Sequence, residues 1–302
     1  MTAMAPWVCW HLFYHSNQDS ILVEGVKPLV EALDSDGLLS GFFFLRYWDG
    51  GPHLRLRFRP ADEAAGLELE ERVETRLEEA LRACPSTASI DSIAYARMAK
   101  HLGPAEGVEA GSLCPDNSLE RRPYHPETGK YGEGAAMDCA ERIFTASSRA
   151  VLETLARRPD RRGTIGAALL AIFSGLSALG HDPASARGFV ERYAGFWGEH
   201  AKAVEGGSVR LGEVNAAPAL AEVAQAIVGG GRVPGQLAGW AEALTGARQA
   251  LDFKPGTLDD PRRDFLTTNY FHTHVNRLGL LIPDEAYLAR LAAASLGARE
   301  AA

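Results

Sequence analysis

The sequence predicts an α+β protein with a sheet-bearing N-terminal half and a helical C-terminal half, and three observations predict it. Strand-like runs, among them the strictly alternating residues 53–59, lie within the first hundred residues. Glycine and proline punctuate residues 103–134 so densely that no long regular element fits. Beyond residue 135 the apolar positions recur at helical spacing.

The elements follow in order. Residues 7–14 read as a first strand, and residues 19–33 as a helix with Ile21, Leu22, Val26, Leu29, Val30 and Leu33 on one face, Pro28 being tolerated within it. Residues 42–45 form an apolar run typical of a buried strand, Asp49, Gly50, Gly51 and Pro52 supply turn chemistry, and residues 53–59 alternate, so together they form a β-hairpin. Residues 61–83 make a charged amphipathic helix opened by Pro60, with Leu67, Leu69, Val73, Leu77 and Leu81 inward, and residues 90–96 read as a further strand. The resulting order, β-α-β-β-α-β, is the ferredoxin-like split βαβ arrangement, a sheet with helices on one face. Residues 103–134 are expected to be loop. Helices are expected near 135–157, 163–179, 183–204, 219–228, 236–251, 265–280 and 283–296. The division is placed at residues 1–120 and 121–302, the two parts working as one catalytic unit.

The chain has 302 residues, 46% of them hydrophobic, which suffices for one sizeable core or two modest ones. A net charge of -8 argues against nonspecific adhesion to nucleic acid or an anionic membrane, so no direct nucleic-acid partner is expected and any anion site is local. Cys9, Cys84, Cys114 and Cys139 form no C-x-x-C pair, which points to reduced thiols rather than a zinc knuckle or redox dithiol. No basic n-region precedes an apolar run, and no segment approaches the roughly 20 apolar residues that span a bilayer. A cytoplasmic protein without membrane contact is expected.

The hairpin concentrates positive charge. Arg46, His53, Arg55, Arg57 and Arg59 surround its turn, and strand alternation puts His53, Arg55, Arg57 and Arg59 on one side and Leu54, Leu56 and Phe58 on the other. A lone strand of this kind is often an edge strand whose solvated arginines deter aggregation. The choice of Arg at every position favours a carboxylate or phosphate ligand instead, because the guanidinium donates paired, forked hydrogen bonds. Arg46, among aromatics, is equally consistent with a stacked structural role.

Two further stretches carry a family resemblance. One is Tyr124, His125, Pro126, Glu127, Thr128, Gly129, Lys130, Tyr131, Gly132, Glu133 and Gly134, leading into Glu141, Arg142, Ser147 and Ser148. The other is Tyr270, Phe271, His272, Thr273, His274, Val275, Asn276, Arg277 and Leu278. With the hairpin, these resemble the C-terminal elimination domain of lantibiotic dehydratases, found as a stand-alone protein in thiopeptide and related pathways.

The resemblance implies a lyase without cofactor or metal. A separate tRNA-dependent protein glutamylates Ser or Thr of a precursor peptide, and the elimination domain expels glutamate to leave dehydroalanine or dehydrobutyrine. It implies Arg55, Arg57, Glu127, Lys130 and His272 as catalytic residues, with His53, Arg59, Arg46, Tyr131, Asn276 and Arg277 around the substrate. A homodimer is compatible with it. The chemistry agrees: guanidinium groups suit a standing and a developing carboxylate, and proton removal needs a nearby base.

On a helix, Asn276 follows His272 by four residues and can orient its imidazole, whereas His274 faces elsewhere, making the His-Thr-His spacing a poor metal site. Periodicity alone would make His272 an ordinary helix histidine, and Glu127 with Lys130 an exposed ion pair of little energetic value. Lys130 stands where the family pattern has Arg, which loses the planar fork. Two alternatives stay open. One is a pyridine-forming cycloaddition synthase of thiopeptide macrocyclisation, which does not need the glutamate-handling set. The other is a non-catalytic scaffold that binds a leader peptide along a sheet edge.

Overall fold

A computed structural model of the chain describes residues 5–88, 90–106, 109–204, 215–254, 256 and 260–297. It is an α+β protein that divides into two compact units, Met1–Pro126 and Glu127–Ala302. Among the described residues no helix is long and apolar enough to cross a membrane.

In the first unit, β1 (Val8–Phe13), β2 (Leu39–Tyr47), β3 (His53–Pro60) and β4 (Ser118–Arg122) form an antiparallel sheet in the order β2-β3-β1-β4. Alternation sends Trp10, Leu12, Phe42, Phe44, Leu54, Leu56 and Phe58 to one face, and all are completely buried. Helices α1 (Gln18–Ile21), α2 (Lys27–Ser35) and α3 (Ala65–Ala83) contribute Ile21, Val30, Leu33, Leu69, Val73 and Leu77 to the unit's core. Each such side chain contributes about 1.5–3 kcal/mol by leaving water.

Between α1 and α2 the backbone widens into a π-helical turn, Leu22–Val26, so that Pro28 falls in the first turn of α2, where its missing N–H breaks no helical bond. Gly25, in that turn, has a packing reason. A Cβ there would lie 2.6 Å from the Cβ of Ala80, so the turn reaches α3 only without a side chain.

Three expectations are corrected. Leu67, expected inward, is 83% exposed, because the buried stripe of α3 runs through Leu69, Val73, Leu77 and Leu81. Residues 90–96 are not a strand: α4 spans Ser92–Glu106, started by Asp91, whose carboxylate accepts from the Ala94 backbone N–H at 2.7 Å. The cap and the helix formers Ala94, Ala96 and Ala99 outweigh the short apolar run. The fourth strand is instead β4, inside the expected loop; residues 107 and 108 of that stretch lie outside the described residues. Its Ser-Leu-Glu-Arg-Arg sequence carries no core pattern, because an edge strand is held by backbone pairing, here to β1, and its charges discourage further pairing.

The hairpin tip is clipped from several directions. Gly50 and Gly51 take φ of 83° and 103°, the left-handed region open to glycine. The Gly50 N–H donates to the Tyr95 hydroxyl at 2.8 Å, the Cys114 N–H donates to the Gly50 carbonyl at 2.7 Å, and the Gly111 N–H donates to Asp49 Oδ1 at 2.7 Å.

The second unit is helical: α5 (Thr128–Tyr131), α6 (Ala135–Ala156), α7 (Arg161–Ala178), α8 (Pro183–Val204), α9 (Pro218–Val228), α10 (Ala238–Ala250), α11 (Pro261–Arg277) and α12 (Ile282–Gly297), with a 3-10 turn, Gly235–Leu237, leading into α10. Asp160 and Asp260 cap α7 and α11 by accepting from the backbone N–H three residues on, at 2.7 and 3.0 Å. Helix α7 is central, burying Ala168, Leu169, Ile172, Phe173 and Leu176. Its Gly175 admits the Phe271 ring, which an added Cβ would meet at 2.5 Å.

Candidate functional site

On the face of the sheet opposite the leucines, β3 places His53, Arg55, Arg57 and Arg59 side by side. Their neighbours in register are Tyr47, Leu45, Phe43 and Gly41 on β2, with Phe13, His11 and Cys9 beside the first three on β1. This face is not a row of solvated cations: Arg57 and Arg59 are buried, and rings cover them. The Arg57 guanidinium lies 5.1 Å from the Phe43 centroid and 5.4 Å from that of Tyr124; Arg59 lies 4.7 Å from Trp7, and Arg55 stacks 3.5 Å over Tyr47. The aromatic walls keep the charges fixed in direction and less screened than on an open surface.

His53 serves this row from behind. Its Nδ1 meets the Gly51 carbonyl at 2.9 Å and its Nε2 accepts a long 3.4 Å bond from Arg55 Nε, while its ring stacks on His11 at 4.7 Å. Burial, with Arg55 adding to it and the Gly51 bond opposing, pushes His53 down to about 4; burial, then His53 and Arg55, take His11 to about 3. Both rings are neutral near pH 7, so the guanidinium groups carry the positive charge of this face. Arg46 does not join them. It is in register with Leu54, on the other face, and pairs with Asp19 of α1 at 2.5 Å.

In the second unit, Glu127 and Lys130 pair at 2.7 Å across α5, with side chains 48% and 42% exposed. Tyr131 anchors this short helix: it is buried, stacked on Tyr270 at 5.6 Å and edge-on to Phe144 at 5.0 Å. Gly132 (φ 92°) turns the chain toward α6.

His272 projects from α11 with a 38% exposed side chain, its ring stacked on Trp197 of α8 at 4.7 Å and 21°. Its Nδ1 lies 2.7 Å from Glu285 Oε2 on α12, and the other oxygen of Glu285 accepts from the Tyr193 hydroxyl at 2.5 Å. Asn276 lies half-buried one turn along α11. His274 and Arg277 belong to a different, interior group. Ser147 Oγ accepts from Arg277 at 3.1 Å and meets His274 Nδ1 at 2.9 Å, His274 stacks on Trp240 at 4.5 Å, and Arg277 is completely buried beside Phe144. Arg277 therefore holds α11 against α6.

Sequence reasoning missed Glu285, Tyr193 and Trp197, and the rings over the arginines. One signal was available: Glu285 sits on the apolar stripe of α12 with Ala286, Leu288, Ala289 and Ala292, and an acid at a core position requires a partner.

The first unit thus offers a guanidinium-lined strand suited to anionic groups, and the second a helix-borne imidazole beside a carboxylate, suited to proton transfer. The family model described as "Lantibiotic biosynthesis dehydratase C-term" matches residues 7–296, and the chain belongs to that family. Among solved structures, "Pyridine synthase, TbtD, from thiomuracin biosynthesis" is 20% identical and superposes with a TM-score of 0.71 over 97% of this chain and 98% of its own. The tRNA-dependent lantibiotic dehydratase MibB from Microbispora sp. 107891 is 22% identical, with a TM-score of 0.61 over 98% of this chain but 28% of MibB. TsrL is 19% identical, with a TM-score of 0.58 over 96% and 94%. At these identities the likeness is one of fold. No curated protein matches the chain.

Proposed function

We propose that the protein is a peptide-modifying lyase that eliminates glutamate from glutamylated Ser or Thr of a ribosomally made precursor peptide, leaving dehydroalanine or dehydrobutyrine. The observation that carries this reading is the guanidinium row of β3, Arg55 and Arg57 in particular, held between aromatic rings on the face away from the core. Family membership supplies the peptide-modifying context. The N-terminal sheet layer is read as ferredoxin-like, with α4 inserted ahead of its last strand.

The reaction has two demands. A base takes the α-proton of the modified residue, the C–H electrons form the Cα–Cβ double bond, and the Cβ–O bond breaks with its electron pair leaving on the glutamyl carboxylate. We assign the base to His272, which ends the step protonated, and the carboxylate contacts to Arg55, Arg57 and Lys130. The departing glutamate gains a second carboxylate where the ester was, so cations aimed at the leaving oxygens bind the transition state more tightly than the ester. Glu127 holds Lys130, Tyr131 holds α5, and His53 holds Arg55. Arg59 extends the charged row beyond Arg57. In this proposal the substrate comes from a separate tRNA-dependent glutamylation protein, and the lyase works in the cytoplasm.

A second reading, pyridine-forming cycloaddition, is favoured by the end-to-end match with the synthase TbtD and by Lys130 standing where the lyase pattern has Arg. Incubating the protein with a glutamylated peptide, and separately with a dehydrated one, distinguishes them by mass. Release of glutamate supports elimination. Macrocycle formation with loss of leader peptide supports cycloaddition, and no change in either sample supports a peptide-binding scaffold.

A further inference from the structure

We infer that Glu285 is the positioning residue of the imidazole on α11, holding His272 in the tautomer that carries hydrogen on Nδ1 and presents its basic lone pair on Nε2. The inference deepens the proposed lyase reading and rests on it for the base role of His272, although the tautomer can be tested alone.

The geometry points one way. Glu285 comes from the first turn of α12, is 1% exposed, and each of its oxygens has one partner within hydrogen-bond range: Tyr193 OH on Oε1 and His272 Nδ1 on Oε2. Burial, and then the Glu285 charge, push the Tyr193 phenol well above its ordinary range, so it stays protonated and donates. A carboxylate that accepts from Tyr193 on one oxygen offers the other as an acceptor, and the imidazole must answer with Nδ1–H. Trp197, one turn beyond Tyr193 on α8, stacks on the imidazole and fixes its plane. Three helices therefore set the ring's plane, its rotation and its proton. The side-chain exposures are 38% for His272 and 2% for Glu285, so substrate meets the imidazole and the carboxylate stays behind it. If Glu285 were only a packing residue, a neutral isostere would serve equally well. The positioning role demands that it would not.

Two-bond 1H–15N correlation spectra of the intact protein, with His272 assigned by its absence in His272→Ala, read the tautomer directly. The expected pattern is a pyrrole-like Nδ1 and a pyridine-like Nε2. In Glu285→Gln, Tyr193 continues to donate to the amide oxygen, which turns the amide NH2 toward Nδ1; the pattern then reverses, and kcat for glutamate elimination falls about 10²-fold or more with KM little changed. Glu285→Asp keeps a carboxylate and restores part of the rate. Hydrogen on Nε2 in the unaltered protein overturns the inference, and that measurement needs no variant to fold. An unchanged tautomer in Glu285→Gln overturns it as well. Reversal in Glu285→Gln together with full turnover in His272→Ala upholds the positioning by Glu285 and sinks the lyase base assignment instead.

Discussion

His274 is buried in the helical unit and should make folding sensitive to mild acid. It is 3% exposed and stacked on Trp240, and its Nδ1 meets Ser147 Oγ at 2.9 Å. Arg277 donates to that same oxygen, which leaves the Ser147 hydrogen to point at Nδ1. Protonating His274 would break this arrangement and bring a second cation beside Arg277 in the interior. Burial first, and then Arg277, accordingly lower its pKa from the ordinary 6.5 to about 3.

The unfolded chain thus binds a proton near pH 6.5 that the folded chain refuses until about pH 3. Stability unaffected above that window is lost as pH falls through it. At pH ~5 the unfolded state has gained about 1.5 pH units of protonation, worth about 2 kcal/mol at roughly 1.36 kcal/mol per unit. Urea unfolding of the intact protein and of His274→Gln at pH ~7.5 and pH ~5 tests this. His53 and His181 are also buried with lowered pKa values, so both proteins weaken in acid, but the variant should lose about 2 kcal/mol less between the two conditions. An equal loss in both would refute the assignment of that share to His274.

Three other outcomes are expected. Arg57→Ala should lower elimination about 10²–10³-fold, as removing one transition-state donor does, while costing only about 0.5–2 kcal/mol of ring contact; collapse of its circular dichroism spectrum would instead mark Arg57 as structural. Gly25→Val should destabilise the first unit by about 1–3 kcal/mol in thermal unfolding, because its Cβ would press on Ala80, and an unaltered midpoint would contradict the packing. Lys130→Ala should slow glutamate release, yet change unfolding free energy by no more than about 1 kcal/mol, since its pair with Glu127 is exposed; unchanged release would remove it from the site.

Where a local pattern and a long-range requirement coincide, the sequence was legible. The alternation of residues 53–59 specifies two faces whatever surrounds the strand, and the helices after residue 135 combine apolar periodicity with Asp caps. Strand β4 was invisible because its stability lies in main-chain bonds to β1, which leave no mark on its side chains. Helix α4 was misread because a short apolar run was weighed above the cap at Asp91. Among the candidate site residues, the cation-bearing face of β3 could be read from its alternation, whereas His272 was singled out only by the family resemblance. The cover over Arg57 could not be read, since Phe43 becomes its neighbour only through the hairpin register, and Tyr124 lies far along the chain. Glu285 escaped because it reaches His272 from the next helix rather than by helical spacing.

The clipped tip of the hairpin has one last consequence. With a side-chain period of two, slipping β3 by a single residue would drive every guanidinium into the leucine core and every leucine onto the opposite face, so the β2–β3 connection works as a length gauge. Insertions that surface loops ordinarily absorb would here invert the strand. Tyr95, Cys114 and Asp49 act as stops against that error, and the orientation of the arginines is thereby encoded in residues outside their own strand.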